Sequence, residues 1–335
     1  MANRTLYEYN KKSIVISINI LKGSGIMQSF KLDMEITEAT KVLNDLMNGS
    51  VSNVVSIDMG ELSRVFSFVQ NNNEFVVHFK NDRWSFDKAR FIYDMYSSQS
   101  LPIPRVIKIG QLHNNMYYAI SEKASGKPIS LLVEDYNIEG ILNNLASHFT
   151  YMSQLHIDPS KGFGTISPSG STAQISWKAT LSHFFDENEE GFHNNWTRLY
   201  KESFLEEDLF QAGFATMLEL ANYSPSNPHL VHGDFHLGNM LSDGSHVTGI
   251  VDWEMAMHGD FMLDLAGLHF WSPHLEFPNR VRNLWKINGI DIPHFEDRLR
   301  CHLLFKGIDG LRFYAKKDDH PSYDYMKGRV IALLK

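Results

Sequence analysis

Cysteine is almost missing: Cys301 stands alone among 335 residues. One thiol excludes an internal disulfide and any cysteine-built zinc cluster, and it suits a reducing cytoplasm. Long apolar runs are missing as well, since nothing approaches the ~18 residues of a membrane span. The apolar run at residues 14–21 follows Lys11 and Lys12 but is short, is interrupted by Ser17 and Asn19, and precedes no small-residue cleavage site. Residues 1–27 therefore read as an extension or an added strand, with Met27 as an alternative start. Positive charge is in deficit, at 31 Lys and Arg against 39 Asp and Glu, for a net charge of -8. An acidic chain repels nucleic acid and anionic membrane and suits a cationic small molecule. The 16 histidines include no His-Glu-x-x-His or comparable metal spacing. Internal repeats and low-complexity tracts are also lacking.

What is present is globular in kind: 43% hydrophobic and 21% charged residues, in a chain long enough for about two domains. Residues 34–48 place Ile36, Ala39, Val42, Leu43, Leu46 and Met47 on one helical face, and Gly49 stops the helix. Strand-like stretches at 51–59, 64–70 and 74–79 follow, then a helix at 85–96, a break at Leu101-Pro-Ile-Pro104, and strands at 106–110 and 116–121. Beyond Gly126 the periodicity turns helical, at 138–156, 176–185, 204–221, 260–270, 279–285 and 295–314. The pattern predicts an α+β protein with a small antiparallel-sheet N-lobe over residues 28–122 and a larger, mostly helical C-lobe over 123–335.

Within the helical part sits a different signal. His232-Gly233-Asp234 is followed by Asn239, a short apolar strand, the turn Asp243-Gly244-Ser245 and a second strand that ends in Asp252-Trp253-Glu254. A hairpin over 231–254 would bring Asp234, Asn239 and Asp252 to one edge. There Asp234 could orient an attacking hydroxyl and accept its proton, while Asn239 and Asp252 offer the hard oxygen ligands that Mg2+ prefers. His232 is placed to fix the loop backbone, and Glu254 could reach the metal through water.

The pattern His-Gly-Asp-x-x-x-x-Asn with Ile-Val-Asp-Trp-Glu, then Gly259-Asp260 and Asp264-Leu265-Ala266, resembles the aminoglycoside phosphotransferase and choline-kinase superfamily. Leu101-Pro-Ile-Pro104, Gly162-Phe-Gly164 and Phe270-Trp271-Ser-Pro273 are similar to the hygromycin B branch of it. The resemblance implies a bilobal protein-kinase-like fold, ATP or GTP with Mg2+, and phosphoryl transfer to a hydroxyl of a cationic acceptor, in a cytoplasmic monomer or weak dimer. It also implies positions for the nucleotide. Gly60, Glu61, Leu62, Ser63 and Arg64 lie where a loop covers the phosphates, with Ser63 a contact. Matching Phe75-Val-Val-His78 to Val-Ala-Ile-Lys puts His78 at the phosphate-binding lysine, with Lys80 two residues on and on the same strand face. The usual acid on the following helix has only Asp87 and Asp94 as candidates. Glu122 and Ala124 fall at the hinge, whose backbone holds the base. For the acceptor, carboxylates bind polyamines by charge-assisted hydrogen bonds; Glu187 and Glu190 in the acidic run at 186–190, together with Asp260, are the candidates. Two rivals share these motifs: a metabolic kinase of the choline, homoserine or sugar type, and a catalytically inactive nucleotide-binding protein.

Overall fold

Alternation with a period of two builds the first sheet. Phe66 and Phe68, Val77 and Phe79, and Tyr118 and Ile120 all fall on one face and are buried there. The register lines up Phe66, Val77 and Ile120 across three strands. Each such side chain contributes about 1.5–3 kcal/mol by leaving water. The computed structural model describes residues 34–57, 63–113, 115–133, 138–188 and 191–335. Residues 1–27, Gly60, Glu61, Leu62, Glu189 and Glu190 lie outside the described residues.

In chain order, α1 (Ile36–Leu46) leads into β1 (Ser52–Ile57), β2 (Arg64–Gln70) and β3 (Asn73–Lys80). Then come α2 (Trp84–Tyr96), β4 (Val106–Gln111) and β5 (Tyr117–Glu122). The five strands form an antiparallel sheet in the order β1-β2-β3-β5-β4. Helix α1 closes the apolar face through Ala39 and Leu43, whereas Ile36, expected on the same face, lies in the first turn and stays exposed.

A linker strand β6 (Lys127–Pro128) opens the larger lobe. After it come α3 (Ile138–Ser153), β7 (Gly164–Thr165), α4 (Trp177–His183), α5 (Leu199–Glu202) and α6 (Glu207–Leu220). The centre holds β8 (His229–Val231), β9 (Met240–Ser242), β10 (Val247–Ile250) and β11 (Met257–Gly259), and α7 (Met262–Trp271), α8 (Phe277–Ile287), α9 (Phe295–Lys316) and α10 (His320–Leu334) complete it. Two small sheets, ordered β10-β9-β6 and β7-β11-β8, hold the central hairpin between the helices. No described helix is long and apolar enough to cross a membrane.

The two apolar cores do not divide at residue 122. Ile92 on α2, with Leu101 and Ile103 just after it, belongs to the large core, although these residues lie among the sheet strands in sequence. The reason is local: Ile250 N–H of the hairpin donates to Pro102 O at 2.8 Å, which seats this segment on the C-lobe. Helix α2 thus joins the sheet lobe to the hairpin, and this places the site.

Candidate active site

The hairpin forms as its turn chemistry demands. Asp243 accepts from the backbone of Ser245 and His246 at 2.8 Å each, and β9 pairs antiparallel with β10. Glycine is required twice around it. Gly233 has φ +86° and approaches Met255 O so closely that a Cβ would lie 2.2 Å from it. A Cβ on Gly249 would lie 2.5 Å from that of Ala124, so the linker between the lobes docks onto β10. The loop between β8 and β9 is anchored by Phe235, whose ring meets Phe149 of α3 edge to face at 5.3 Å.

Asp234, Asn239 and Asp252 come together as expected. Asn239 Nδ2 donates to both the carbonyl and Oδ2 of Asp234 at 3.0 Å, which leaves its amide oxygen as the free acceptor. His236, which the sequence reading passed over, sits with Nε2 3.3 Å from the same Oδ2. Its Nδ1 accepts from Gly238 N–H at 3.0 Å, so the ring proton is on Nε2 and points to Asp234. Burial pushes Asp234 up. The hydrogen bond from His236, with the electrostatic pull of that ring, His232 and Lys306, outweighs burial and holds the carboxyl well below the usual range. Asp252 moves the other way, raised by burial and by the negative charges of Asp234 and Glu254. Two acids that repel each other, Asp234 and Asp252, beside the Asn239 amide oxygen are a donor set that suits a hard cation. Among the described residues no three His, Cys, Asp or Glu side chains could hold a metal by themselves. Nucleotide phosphates and water would have to complete six positions for Mg2+.

The loop backbone is fixed from below. Asp264 of α7 accepts from His232 N–H at 2.7 Å and Gly233 N–H at 2.9 Å. Burial raises Asp264 to about 7 against those two donors. His232 lies fully buried, with Nε2 bonded to Val251 O at 2.9 Å and Nδ1 accepting from Asp234 N–H at 3.3 Å. Its tautomer follows: a carbonyl can only accept, so Nε2 carries the proton. Burial lowers its pKa to about 4, so the ring is neutral. The expected role of His232 in holding the loop is what its contacts show. Beyond Val251, Asp252 adopts φ 64° and ψ 62°, a left-handed conformation that a non-glycine residue holds only when its surroundings impose it.

Lys80 and Glu254 form an ion pair across the lobes. Glu254, expected to reach the metal through water, is in this structure the partner of Lys80. His78 and Lys80 share the sheet face opposite the apolar core, in register with Val65 and Ala119. Burial, then the charge of Lys80, lowers His78 to about 4, so it supplies no charge to a phosphate. The acids on α2 do not reach Lys80: Asp87 pairs with Arg83 at 2.9 Å, and Asp94 is exposed. The charged residue that α2 turns inward is Lys88, which is fully buried. Its Nζ donates to Glu254 O at 2.6 Å and to Ala256 O at 2.8 Å, and burial lowers it to about 8 in spite of nearby Glu254.

Ser63 stands half-buried just before β2. At the hinge, Glu122 N–H is taken by Arg105 O and Lys123 N–H by Glu74 O, which leaves the amide of Ala124 without a backbone partner among the described residues. The acceptor candidates fare less well. Asp260 is fully buried and held by Arg298 through bonds of 2.9 and 2.6 Å, so it braces the fold and meets no acceptor. Glu187 is exposed and accepts from Thr197 Oγ1, and Glu190 lies outside the described residues. Lys88 and His236 carried no sequence signal of their own, although His236 falls inside the motif that marked its neighbours.

The residue profile of the phosphotransferase enzyme family matches residues 53–297. Hygromycin-B 4-O-kinase of Escherichia coli is 26% identical over 309 residues, covering 91% of this chain and 87% of that protein. Among solved structures, a thermostable mutant of aminoglycoside phosphotransferase APH(4)-Ia in ternary complex with AMP-PNP and hygromycin B gives a TM-score of 0.74 at 27% identity, over 88% of this chain and 97% of that one. The GDP complex of a mutant aminoglycoside 2'-phosphotransferase-IIIa gives 0.61 at 15% identity, over 89% and 97%, a likeness of fold alone.

Proposed function

The chain is a member of the phosphotransferase enzyme family, and from that premise we propose that it moves the γ-phosphoryl group of ATP or GTP to a hydroxyl of an aminoglycoside of the hygromycin B type, conferring resistance to it. The observation that carries this reading is the convergence of Asp234, Asn239 and Asp252 on one edge of the hairpin. The similarity to hygromycin-B 4-O-kinase supports the acceptor, as does a net charge of -8 for a polycationic ligand.

Each side chain then has a task. Asp234 has Oδ2 held by Asn239 and His236, which leaves Oδ1 to receive the acceptor's O–H. A carboxylate of such low basicity orients the hydroxyl and takes its proton late, as oxygen donates its electrons to phosphorus. The loose transition state of phosphoryl transfer asks for this, since positioning and charge neutralisation do most of the work. Asp252 and Asn239 would hold Mg2+, which when bound neutralises charge on the phosphates. Lys80 would approach the phosphates from β3, Ser63 just before β2 would lie beside them, and the backbone of Glu122 and Ala124 would meet the base. Glu187 and Glu190 remain the candidates for the acceptor's ammonium groups.

The test is ADP release with Mg2+, ATP and hygromycin B, set against a panel of choline, homoserine and sugars. Wild type turns over the antibiotic, and Asp234→Asn loses roughly 100-fold or more in kcat with its melting temperature retained. Turnover of panel compounds alone, or full activity in Asp234→Asn, overturns the reading.

A further inference from the structure

Lys88 stands where the fold puts a group to couple the sheet lobe to the catalytic turn, yet its charge is opposite to that of the acid expected on this helix. It is fully buried, and its ammonium has contacts on three sides. Two face the carbonyls of Glu254 and Ala256, and the third side of the ammonium faces the Trp84 ring, 5.1 Å from its centroid. The first carbonyl lies within the 3-10 turn Trp253–Met255 and the second just after it, and the turn begins at the left-handed Asp252. The same Glu254 gives its carboxylate to Lys80.

The arrangement is thus an inverted pair. The helix provides the cation, the turn provides the acid, and Lys80 and Lys88 both reach Glu254. Upstream of Asp252 the strand is pinned by His232 to Val251 O and by Trp253 Nε1 to Ile250 O at 2.9 Å. Downstream, the described residues that fix the turn by side chain are Lys88 and Lys80.

We propose that Lys88 is a positioning residue: by gripping Glu254 O and Ala256 O it holds the turn that imposes the left-handed backbone of Asp252, and so sets that carboxylate for the metal-bound nucleotide. The inference rests on the phosphotransferase reading above. Lys88 touches neither nucleotide nor acceptor, so its loss changes how metal and nucleotide bind together and leaves metal-free nucleotide binding alone.

The experiment uses the full chain as wild type, Lys88→Met and Lys88→Gln, with calorimetric titration of ATP in the presence of Mg2+ and in EDTA, and thermal unfolding alongside. Failure of wild type to bind either ATP or GTP would sink the phosphotransferase reading itself. With wild-type binding in hand, Lys88→Met is expected to keep its affinity in EDTA within about twofold and to lose about 10–100-fold of the strengthening by Mg2+, the usual effect of a residue that orients a ligand. Lys88→Gln, which retains one donor and tests the idea if the Met variant does not fold, should fall between. In turnover, kcat drops while the KM for hygromycin B holds. Undiminished Mg2+ strengthening in the substituted chains overturns the proposal. So does an equal loss of affinity with and without metal, which a general loosening of the fold would give.

Discussion

Oδ2 of Asp234 receives two donors, one from an amide five residues on and one from an imidazole two residues on. The imidazole is the more informative, because the Gly238 amide occupies its other nitrogen and fixes which face bears the proton. His236 is therefore a standing donor to Asp234, unable to take a proton from it without breaking the bond to Gly238. A carboxylate stabilised in this way stays ionised at low pH, and removing the donor lets its pKa rise. In His236→Leu the acid limb of the kcat/KM profile is expected to move to higher pH. The hydrogen bond to a charged group, worth about 1.5–3 kcal/mol, should cost roughly tenfold or more in rate at neutral pH. An acid limb that stays at its wild-type pH would show that His236 leaves the carboxylate untouched.

At the scale of elements, β11 and its following turn are tied to α9 by the Asp260 and Arg298 pair, which lies wholly in the interior. Arg298→Met strands a buried carboxylate and should destabilise by about 3–5 kcal/mol, whereas the double change Asp260→Leu with Arg298→Met should recover most of that loss. Urea denaturation midpoints check both, and a double variant no better than the single one would argue against a paired-charge account. The same pair shows where sequence ran short. Asp260 follows a catalytic hairpin and reads as an available acid, but its partner is 38 residues further on and nothing local announces it. Lys88 is harder still, as a lysine on a helix ordinarily reads as solvated and its acceptors lie 166 and 168 residues away. The hairpin was legible because its motif residues, turn and strands are all short-range. Strands β2, β3 and β5 were legible because alternation persists over six to eight residues. The two-residue strands β6 and β7 carry no period. Helix α10 went unread because it buries only Ser322, Tyr323, Met326 and Val330 while Tyr325 and Ile331 face outward.

Across the whole molecule, the titrating groups that folding removes from water set how stability follows pH. His232 and His258 are both buried, at 0% and 1% exposure, and burial lowers each from 6.5 to about 4. A histidine depressed in the folded state contributes stability present above 6.5, and that stability is lost as pH falls toward 4, because the unfolded chain takes up the proton first. Each such group accounts for about 3 kcal/mol over that window. Asp264 acts with the opposite sign: raised to about 7, its contribution is full below the ordinary carboxylate range and is lost as pH rises toward 7. With His78 lowered likewise, the histidines outweigh one carboxyl, so the chain is expected to weaken on acidification from pH 6.5 to 4. His258 allows the separate test, since its Nε2 meets Tyr96 OH at 3.1 Å and its Nδ1 is buried without a partner among the described residues. His258→Phe keeps an aromatic ring of similar breadth and removes the titration. Its urea midpoint is expected to start below that of wild type at pH 7, with the tyrosine hydroxyl left unpartnered, and then to fall less steeply down to pH 4. The two curves should therefore converge in acid, and parallel curves would mean that acid sensitivity is carried elsewhere in the chain.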